Sequence, residues 1–266
     1  MSKIGKLFKA AGMILRQPSL LNNVLDDNSN WKKRVNRNFG FETGLPTLEF
    51  KHFLDQDSGK VEPLSFHDGA SPITDMVLLR SLAAGIKDCD YLEIGTWRGE
   101  SVANVSALAR SCVTLDLPEE NLLKLGKDKN HLDQYAFFSK GLNNVHHIRQ
   151  DSATFDFGSL QKKFDLVFVD GDHHYKGVLN DTIKVLPLLK DENSIIVWHD
   201  YAFHPEKIRW EVFSAILDGM PEDLHKFLFY AGETLSCVYS RRHAENRGLI
   251  KGNKNLSAFK IMLERT

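Results

Sequence analysis

The chain has 266 residues, of which 42% are hydrophobic and 26% charged, and its formal net charge is −1. This length fits one large domain with appended segments, and the balanced charge lacks the basic excess expected of a nucleic-acid-binding protein. No apolar run reaches the ~20 residues that span a bilayer. The three scattered cysteines show no C-x-x-C spacing, which predicts neither a disulfide framework nor a zinc cluster and favours a reducing, cytoplasmic location.

The first 17 residues form a distinct basic segment. Apolar residues recur at helical spacing from Ile4 to Leu15 with lysines between them, so we predict an amphipathic helix that Pro18 ends. Such a helix could associate with an anionic membrane surface, or pack its apolar side on its own domain or on a second subunit of a homo-oligomer. We favour packing, because amphipathic helices of soluble proteins usually pack.

Composition divides the chain into three parts. Residues 19–70 are rich in Asn, Asp, Gly and aromatic residues and look irregular, as in a cap over a sheet edge. We therefore predict an N-terminal helix and cap over residues 1–70, a cofactor-binding domain over 71–240 and a basic tail over 241–266.

From residue 88 onward, short apolar segments alternate with helical ones, which is typical of a parallel sheet covered on both faces. The last two strands, 226–230 and 234–240, are joined by three residues, a link too short for a parallel crossover, so they must form an antiparallel hairpin. The fold class is therefore α/β, a doubly wound, mostly parallel seven-stranded sheet ending in that hairpin. The five preceding strands are predicted at 90–94, 112–116, 145–149, 164–170 and 194–198.

Polar residues follow the first three of these strands. The first runs into Glu93-x-Gly95-x-x-x-Gly99-x-Ser101, in which the glycines allow a tight turn and close approach of a ligand, and Ser101 can help to cap the next helix. The second ends at Asp116, which can accept hydrogen bonds from ribose hydroxyls, and the third leads to Asp151, which can accept one from an adenine amino group. The set predicts a site for an adenosine-bearing cofactor.

In this order of motifs, residues 70–240 resemble class I S-adenosylmethionine-dependent methyltransferases. The resemblance implies that the loop after the first strand holds the methionine part of the cofactor, Asp116 the ribose, and Asp151 with Ser152 the adenine. The cofactor-binding residues it implies are Glu93, Gly95, Thr96, Trp97, Gly99, Ser101, Asp116, Leu117, Asp151, Ser152 and Asp170.

A nicotinamide-dependent oxidoreductase uses the same type of sheet and is the nearest competing interpretation. It would require G-x-G-x-x-G, whereas this chain has Glu93 where the first glycine would stand. A carboxylate is unfavourable beside a pyrophosphate but favourable beside a cofactor that carries sulfonium and ammonium groups. Charge therefore favours S-adenosylmethionine.

The later strands carry the residues suited to chemistry. Asp170-Gly171-Asp172-His173-His174-Tyr175 follows the fourth strand, and His199-Asp200 follows the fifth. This pattern resembles the metal-dependent sugar O-methyltransferases of macrolide tailoring and the cephalosporin hydroxylase-like proteins. The resemblance implies that Asp170 binds magnesium and takes part in catalysis, and that His173 is the general base.

The candidate metal ligands are Asp170, His199 and Asp200. In the resembled family two adjacent carboxylates follow the fifth strand, whereas here the first position is His199. Imidazole suits manganese, iron or zinc better than magnesium. His199 could instead orient Asp200, or the site could work without a metal.

The sequence therefore predicts methyl transfer to a hydroxyl of a saccharide or another small molecule. Two alternatives stay open: an oxygenase-like or other non-methyl enzyme on the same sheet, and a cofactor-binding protein without catalysis. Neither the acceptor nor the oligomeric state follows from the sequence.

Overall fold

A computed structural model describes residues 2–17, 27–54, 59–67, 69–246, 248–250 and 258–264. Within them the strands are β1 (Thr47–Leu48), β2 (Asp90–Ile94), β3 (Ser111–Asp116), β4 (Val145–Arg149), β5 (Leu166–Val169), β6 (Ile195–Trp198), β7 (Ala202–His204), β8 (Lys207–Ile208), β9 (Leu228–Ala231) and β10 (Cys237–Tyr239). The α-helices are α1 (Lys3–Arg16), α2 (Asn28–Phe39), α3 (Ile73–Ala84), α4 (Glu100–Ser106), α5 (Glu119–Lys124), α6 (Lys129–Asp133), α7 (Tyr175–Val185), α8 (Trp210–Gly219) and α9 (Arg241–Asn246).

The central sheet has eight strands in the order β1-β9-β10-β6-β5-β2-β3-β4. Strands β6, β5, β2, β3 and β4 are mutually parallel, and β10 is antiparallel to both β6 and β9. The prediction of a mostly parallel sheet with a terminal antiparallel hairpin is confirmed. The additional strand is β1, which comes from the N-terminal cap and pairs in parallel with β9.

Helices cover both faces of the sheet because the side chains of its buried strands alternate between two cores. On one face Tyr91 of β2 packs in a cluster with Leu78 of α3 and Val102 of α4. On the other face the next residue, Leu92, belongs to the cluster that contains Val178 of α7 and Phe213 of α8. Near-continuous apolar strands are expected where both faces of a parallel sheet are covered.

The order of the strands reverses between β2 and β5. Strands β3 and β4 extend the sheet on one side of β2, and the chain then returns to place β5 on the other side. The backbone N–H of Asp170, just after β5, donates to the carbonyl oxygen of Ile94 at 2.8 Å. Open α/β sheets bind ligands at such a switch point, beyond the carboxyl ends of the strands.

The cap is more regular than its composition suggested. Helix α2 lies on α8, where Arg34 pairs with Asp218, and its Trp31 ring stacks on Tyr175 of α7 with centroids 4.9 Å apart. The helix ends at Gly40, whose φ of 75° is left-handed. Of the rest of the cap, residues 18–26, with the proposed helix stop Pro18, and residues 55–58 and 68 lie outside the described residues.

Helix α1 forms as predicted but does not pack on the domain. No residue of Lys3–Arg16 is buried. The expectation that its apolar side docks on its own domain is therefore wrong, because nothing in the described chain covers that side. Of the predicted tail, residues 247, 251–257 and 265–266 lie outside the described residues. Among the described helices, none has the length and hydropathy to cross a membrane.

Candidate active site

The loop after β2 is pressed against the end of β5. Gly95 has a φ of 96°, and a Cβ atom placed there would lie within 3.0 Å of the Asp170 carbonyl oxygen and carbon and of the Gly171 nitrogen. Real Cβ atoms do not approach backbone so closely, and L residues rarely adopt this φ. Glycine at this position therefore lets the two strand ends meet at the switch point.

The second glycine of the motif, Gly99, immediately precedes α4. It has a φ of 75°, it is the N-cap residue, and its N–H donates to the Thr96 carbonyl at 2.7 Å. The N-cap residue is therefore Gly99 and not Ser101, which lies within the first turn of α4, where its side chain hydrogen-bonds the Glu93 carboxyl. The helix begins before Ser101 because the turn from Thr96 to Gly99 already leads the chain into it.

Glu93 is fully buried at the end of β2. One carboxyl oxygen, Oε2, accepts a hydrogen bond of 2.6 Å from the Tyr91 hydroxyl two residues earlier on the same face. Burial raises the pKa of Glu93 to about 8, although the Tyr91 hydrogen bond opposes the rise. The side chain is therefore mostly protonated at neutral pH, so the carboxylate charge used to favour a cationic cofactor is not present until something stabilises it.

Asp116, at the end of β3, is tied to the glycine loop of β2. Its Oδ2 atom accepts the backbone N–H of Trp97 at 3.0 Å, and its Oδ1 accepts that of Leu117 at 2.8 Å. Burial raises the pKa of Asp116, and these two hydrogen bonds oppose the rise. Each carboxylate oxygen keeps a further lone pair, so the group can accept a pair of vicinal hydroxyls.

Side chains that the sequence did not single out surround Asp116. The His131 ring of α6 stacks on Trp97 with centroids 5.1 Å apart, and the Arg149 guanidinium lies 3.9 Å from the centroid of the Tyr135 ring. The positive charge of Arg149 acts on Asp116 and lowers its pKa against the effect of burial. Together they place three aromatic rings and a guanidinium group near Asp116, beyond the ends of β3 and β4.

Asp151 and Ser152 follow β4 in a tight turn. The Asp151 Oδ1 atom accepts the N–H of Ala153 at 2.8 Å, which leaves its other oxygen without a recorded partner in the described structure. The Ser152 hydroxyl bonds the buried Asp181 of α7, and its carbonyl accepts Lys184 Nζ at 2.7 Å. The turn is thus anchored on α7, with one carboxylate oxygen of Asp151 available.

Beyond β5 and β6, three side chains converge. Asp170, His199 and Asp200 each offer one ligand atom, and these atoms all lie within 4.8 Å of one another. His199 Nδ1 is 3.0 Å from Asp170 Oδ1 and 3.5 Å from Asp200 Oδ2. The Asp200 backbone is left-handed, with a φ of 61°.

The cluster fits a cation. Both ring nitrogens of His199 are buried without an aligned hydrogen-bond partner. Although burial alone would lower the pKa of His199, the surrounding carboxylates of Asp170, Asp200 and Asp75 raise it well above its usual value. The negative charges of the carboxylates thus favour a positive charge at this position, which either an imidazolium or a divalent metal supplies.

Asp75 and Arg209 complete the cluster and were missed in the sequence. Asp75 of α3 is buried; its Oδ1 accepts the Ser236 hydroxyl at 2.6 Å and lies 3.9 Å from His199 Nε2. Arg209 Nη1 lies 3.3 Å from Asp200 Oδ1. Burial would raise the pKa of Asp200, but His199 and Arg209 outweigh it and lower that pKa to about 2.

His173 lies in the loop between β5 and α7 and reaches solvent. Its ring centroid is 4.6 Å from that of His174, whose Nδ1 atom is 2.8 Å from Asp172 Oδ1. Burial lowers the pKa of His173, and the negative charge of Asp200 opposes the shift. The imidazole is therefore neutral at pH 7 and can accept a proton.

Comparisons with known proteins agree with this architecture. Residues 92–201 match a family model described as a methyltransferase domain. An uncharacterized protein of Acanthamoeba polyphaga mimivirus, R132, is 29% identical over 199 residues, covering 70% of this chain and 81% of the relative.

Solved structures with a similar arrangement include two methyltransferases of calicheamicin biosynthesis. CalS11, a TDP-rhamnose 3′-O-methyltransferase, is 16% identical with a TM-score of 0.44, over 63% of this chain and 77% of that chain. CalS10 of Micromonospora echinaspora, an amino pentose methyltransferase, is 17% identical with a TM-score of 0.34, over 50% of each chain. Values this low carry no information on the substrate. The family match to residues 92–201, which run from β2 to just past β6, confirms the resemblance of this chain to class I S-adenosylmethionine-dependent methyltransferases.

Proposed function

We propose that the protein transfers a methyl group from S-adenosylmethionine to a hydroxyl of a small molecule. The observation that carries the proposal is the contact of Gly95 with the Asp170 backbone at the switch point, with Asp116 bound to the same loop. The contact of Gly95 with Asp170 holds the loop against the end of β5 at the switch point, and Asp116 keeps free lone pairs for a ribose. When bound, the cofactor supplies a methyl group whose C–S bond breaks as the acceptor oxygen forms its C–O bond.

In this mechanism His173 is the general base. Its neutral imidazole takes the proton of the acceptor hydroxyl, and the lowered pKa keeps it in the basic form through the neutral range. The Asp200 carboxylate, which acts on His173, stabilises the imidazolium that results. Asp170 lies at the junction of the two halves of the site, because its backbone contacts the cofactor loop and its carboxylate belongs to the acidic cluster.

We also propose that Asp170, His199 and Asp200 hold a divalent metal between their side chains, where the carboxylates favour a positive charge. Bound there, a metal would lower the pKa of the acceptor hydroxyl and position it. With one imidazole among the ligands, the set suits manganese, iron or zinc better than magnesium.

A saccharide hydroxyl is the acceptor class that we propose. The Asp170-Gly171-Asp172-His173 segment, which resembles that of sugar O-methyltransferases, supports this choice. The exposed loop that carries His173 is accessible to such a bulky polar acceptor.

Calorimetric titration of the purified chain with S-adenosylhomocysteine, with NADH as the competing ligand, tests the cofactor. We expect micromolar binding of S-adenosylhomocysteine that Gly95→Arg abolishes, because any side chain there collides with the Asp170 backbone. Gly141→Arg is the matched control, since a Cβ at Gly141 meets nothing within 4 Å. A preference for NADH, or equal binding by both variants, would overturn the proposal.

The metal is tested separately on the same preparation. Elemental analysis of the protein after incubation with manganese, magnesium or zinc should show about one ion per chain, lost in the Asp200→Ala variant. Binding of S-adenosylhomocysteine should survive this substitution, because Asp200 lies outside the cofactor loop. Retention of the ion by Asp200→Ala would contradict the ligand assignment.

A further inference from the structure

Helix α1 presents an uncovered apolar side. Four of its large apolar residues, Ile4, Leu7, Phe8 and Leu15, are 67%, 68%, 73% and 83% exposed. In a helix of a globular protein, residues at this spacing face a core. Because no residue of α1 is buried, any substitution in this helix leaves the packing of the domain intact.

All the charged residues of α1 are basic, and most of them lie on the side opposite the apolar residues. The helix carries Lys3, Lys6, Lys9 and Arg16 and no acidic residue. At 100° per residue, Lys6, Lys9 and Arg16 project away from the apolar stripe and Lys3 flanks it. An apolar stripe and a one-sign polar side on one helix are the features of helices that lie in a membrane interface.

We propose that α1 binds an anionic lipid surface, lying flat with its apolar stripe among the acyl chains and its basic residues near the lipid headgroups. The charges on the helix decide between this occupant and a second copy of the chain. A second copy of α1 would cover the apolar stripe but would leave the basic residues on the opposite side without a partner of opposite charge, because the helix has no acidic residue, whereas an anionic lipid surface satisfies both sides. With 14 residues the helix is about 21 Å long, which is too short to span a bilayer but sufficient for an interfacial position.

Vesicle flotation with the full-length chain tests this binding. We expect strong binding to vesicles that contain phosphatidylserine and weak binding to phosphatidylcholine alone, because each basic residue near an anionic surface strengthens binding by about fivefold. The Lys6→Glu/Lys9→Glu variant should lose roughly 25-fold or more on the anionic vesicles. The Leu7→Glu/Phe8→Glu variant should lose binding to them altogether.

Matched controls carry the same changes elsewhere on the surface. Lys87→Glu/Lys124→Glu makes the same change of charge at exposed lysines, and Leu125→Glu/Met262→Glu inserts the same two acids at apolar residues that are 66% and 85% exposed. Both controls should bind vesicles as the wild type does. Equal binding to both kinds of vesicle, or unchanged binding by the α1 variants, would overturn the proposal.

Size-exclusion chromatography tests the alternative that a second copy of the chain, rather than a lipid surface, covers α1. A dimer that Leu7→Glu/Phe8→Glu converts to a monomer, without vesicle binding by the wild type, would show that a second copy covers α1 and would overturn the lipid proposal. The cofactor titration is independent of this outcome, because α1 contributes no residue to the candidate active site.

Discussion

Binding of the cofactor should release a proton from Glu93. The buried carboxyl has a pKa of about 8, so roughly nine-tenths of the molecules carry the proton at pH 7. S-adenosylmethionine brings a sulfonium and an ammonium group to the adjoining loop, and these positive charges stabilise the carboxylate. If they lower the pKa of Glu93 well below 7, about 0.9 proton leaves per site at pH 7, and about 0.1 at pH 9.

Calorimetry in two buffers with different enthalpies of ionisation measures this proton directly. The observed binding enthalpy at pH 7 should change with buffer enthalpy with a slope near the expected 0.9 proton, and the affinity should rise nearly tenfold between pH 6 and pH 7 before it levels off above about pH 8. In Glu93→Gln, which keeps the size of the side chain but has no proton to release, the slope should fall to near zero. His173→Ala should leave the slope unchanged, since that imidazole is already neutral at pH 7.

The reasoning would be refuted by identical binding enthalpies in both buffers at pH 7. It would also be refuted by a wild-type slope that persists in Glu93→Gln, because the proton would then come from another group. In either case Glu93 would be a structural side chain held by Tyr91, and the cofactor charge would be balanced elsewhere.

Three further outcomes follow from the structure. Gly95→Ala should lower the free energy of unfolding in urea by about 1–3 kcal/mol through its left-handed φ alone, whereas Gly141→Ala should change it little; equal effects of the two substitutions would show that the backbone at residue 95 relaxes away from this φ. His173→Ala should lower kcat by about 10²–10⁴ while binding of S-adenosylhomocysteine stays unchanged, and the wild-type acid limb of kcat/KM should fall below pH 6.5; wild-type turnover in this variant would exclude His173 as the base. Burial would raise the pKa of Asp90, but Arg110, Lys162 and Ser111 hold it at about 2, so the ionised side chain stabilises the fold above about pH 4 and this stabilisation is lost toward pH 2. The midpoint of urea unfolding should therefore fall less between about pH 4 and pH 2 in Asp90→Asn than in the wild type. The same fall in both proteins would contradict this role of Asp90.

The sheet could be predicted from the sequence because its information is local. Each buried strand is a short apolar run, and the chain alternates these runs with helical segments. The short link between β9 and β10 forced the antiparallel hairpin. The meeting of Gly95 with Asp170 also follows from topology alone, since parallel strands place their carboxyl ends at one edge.

Other parts of the site depend on contacts between distant segments and leave no local pattern. Asp75 lies in a mostly apolar helix, and its role appears only when α3 places it beside His199 and the loop of the terminal hairpin. Arg149 reads as an ordinary strand end until Tyr135 stacks beneath it. The cap helix α2 did leave a signal, because Trp31, Val35 and Phe39 are spaced four residues apart, but the polar residues between them obscured it.

The two-residue strand β1 has a consequence for how the chain can be shortened. It covers the outer edge of β9, and its own outer edge is met by a single bridge from Thr47 to Ile250. A protein cut to residues 71–240 would keep the switch point but leave β9 as a bare, fully apolar edge, and such edges recruit strands from neighbouring molecules. Expression of that fragment should therefore yield aggregates. By pairing with β9, the N-terminal strand β1 prevents the edge of the sheet from pairing with a neighbouring molecule.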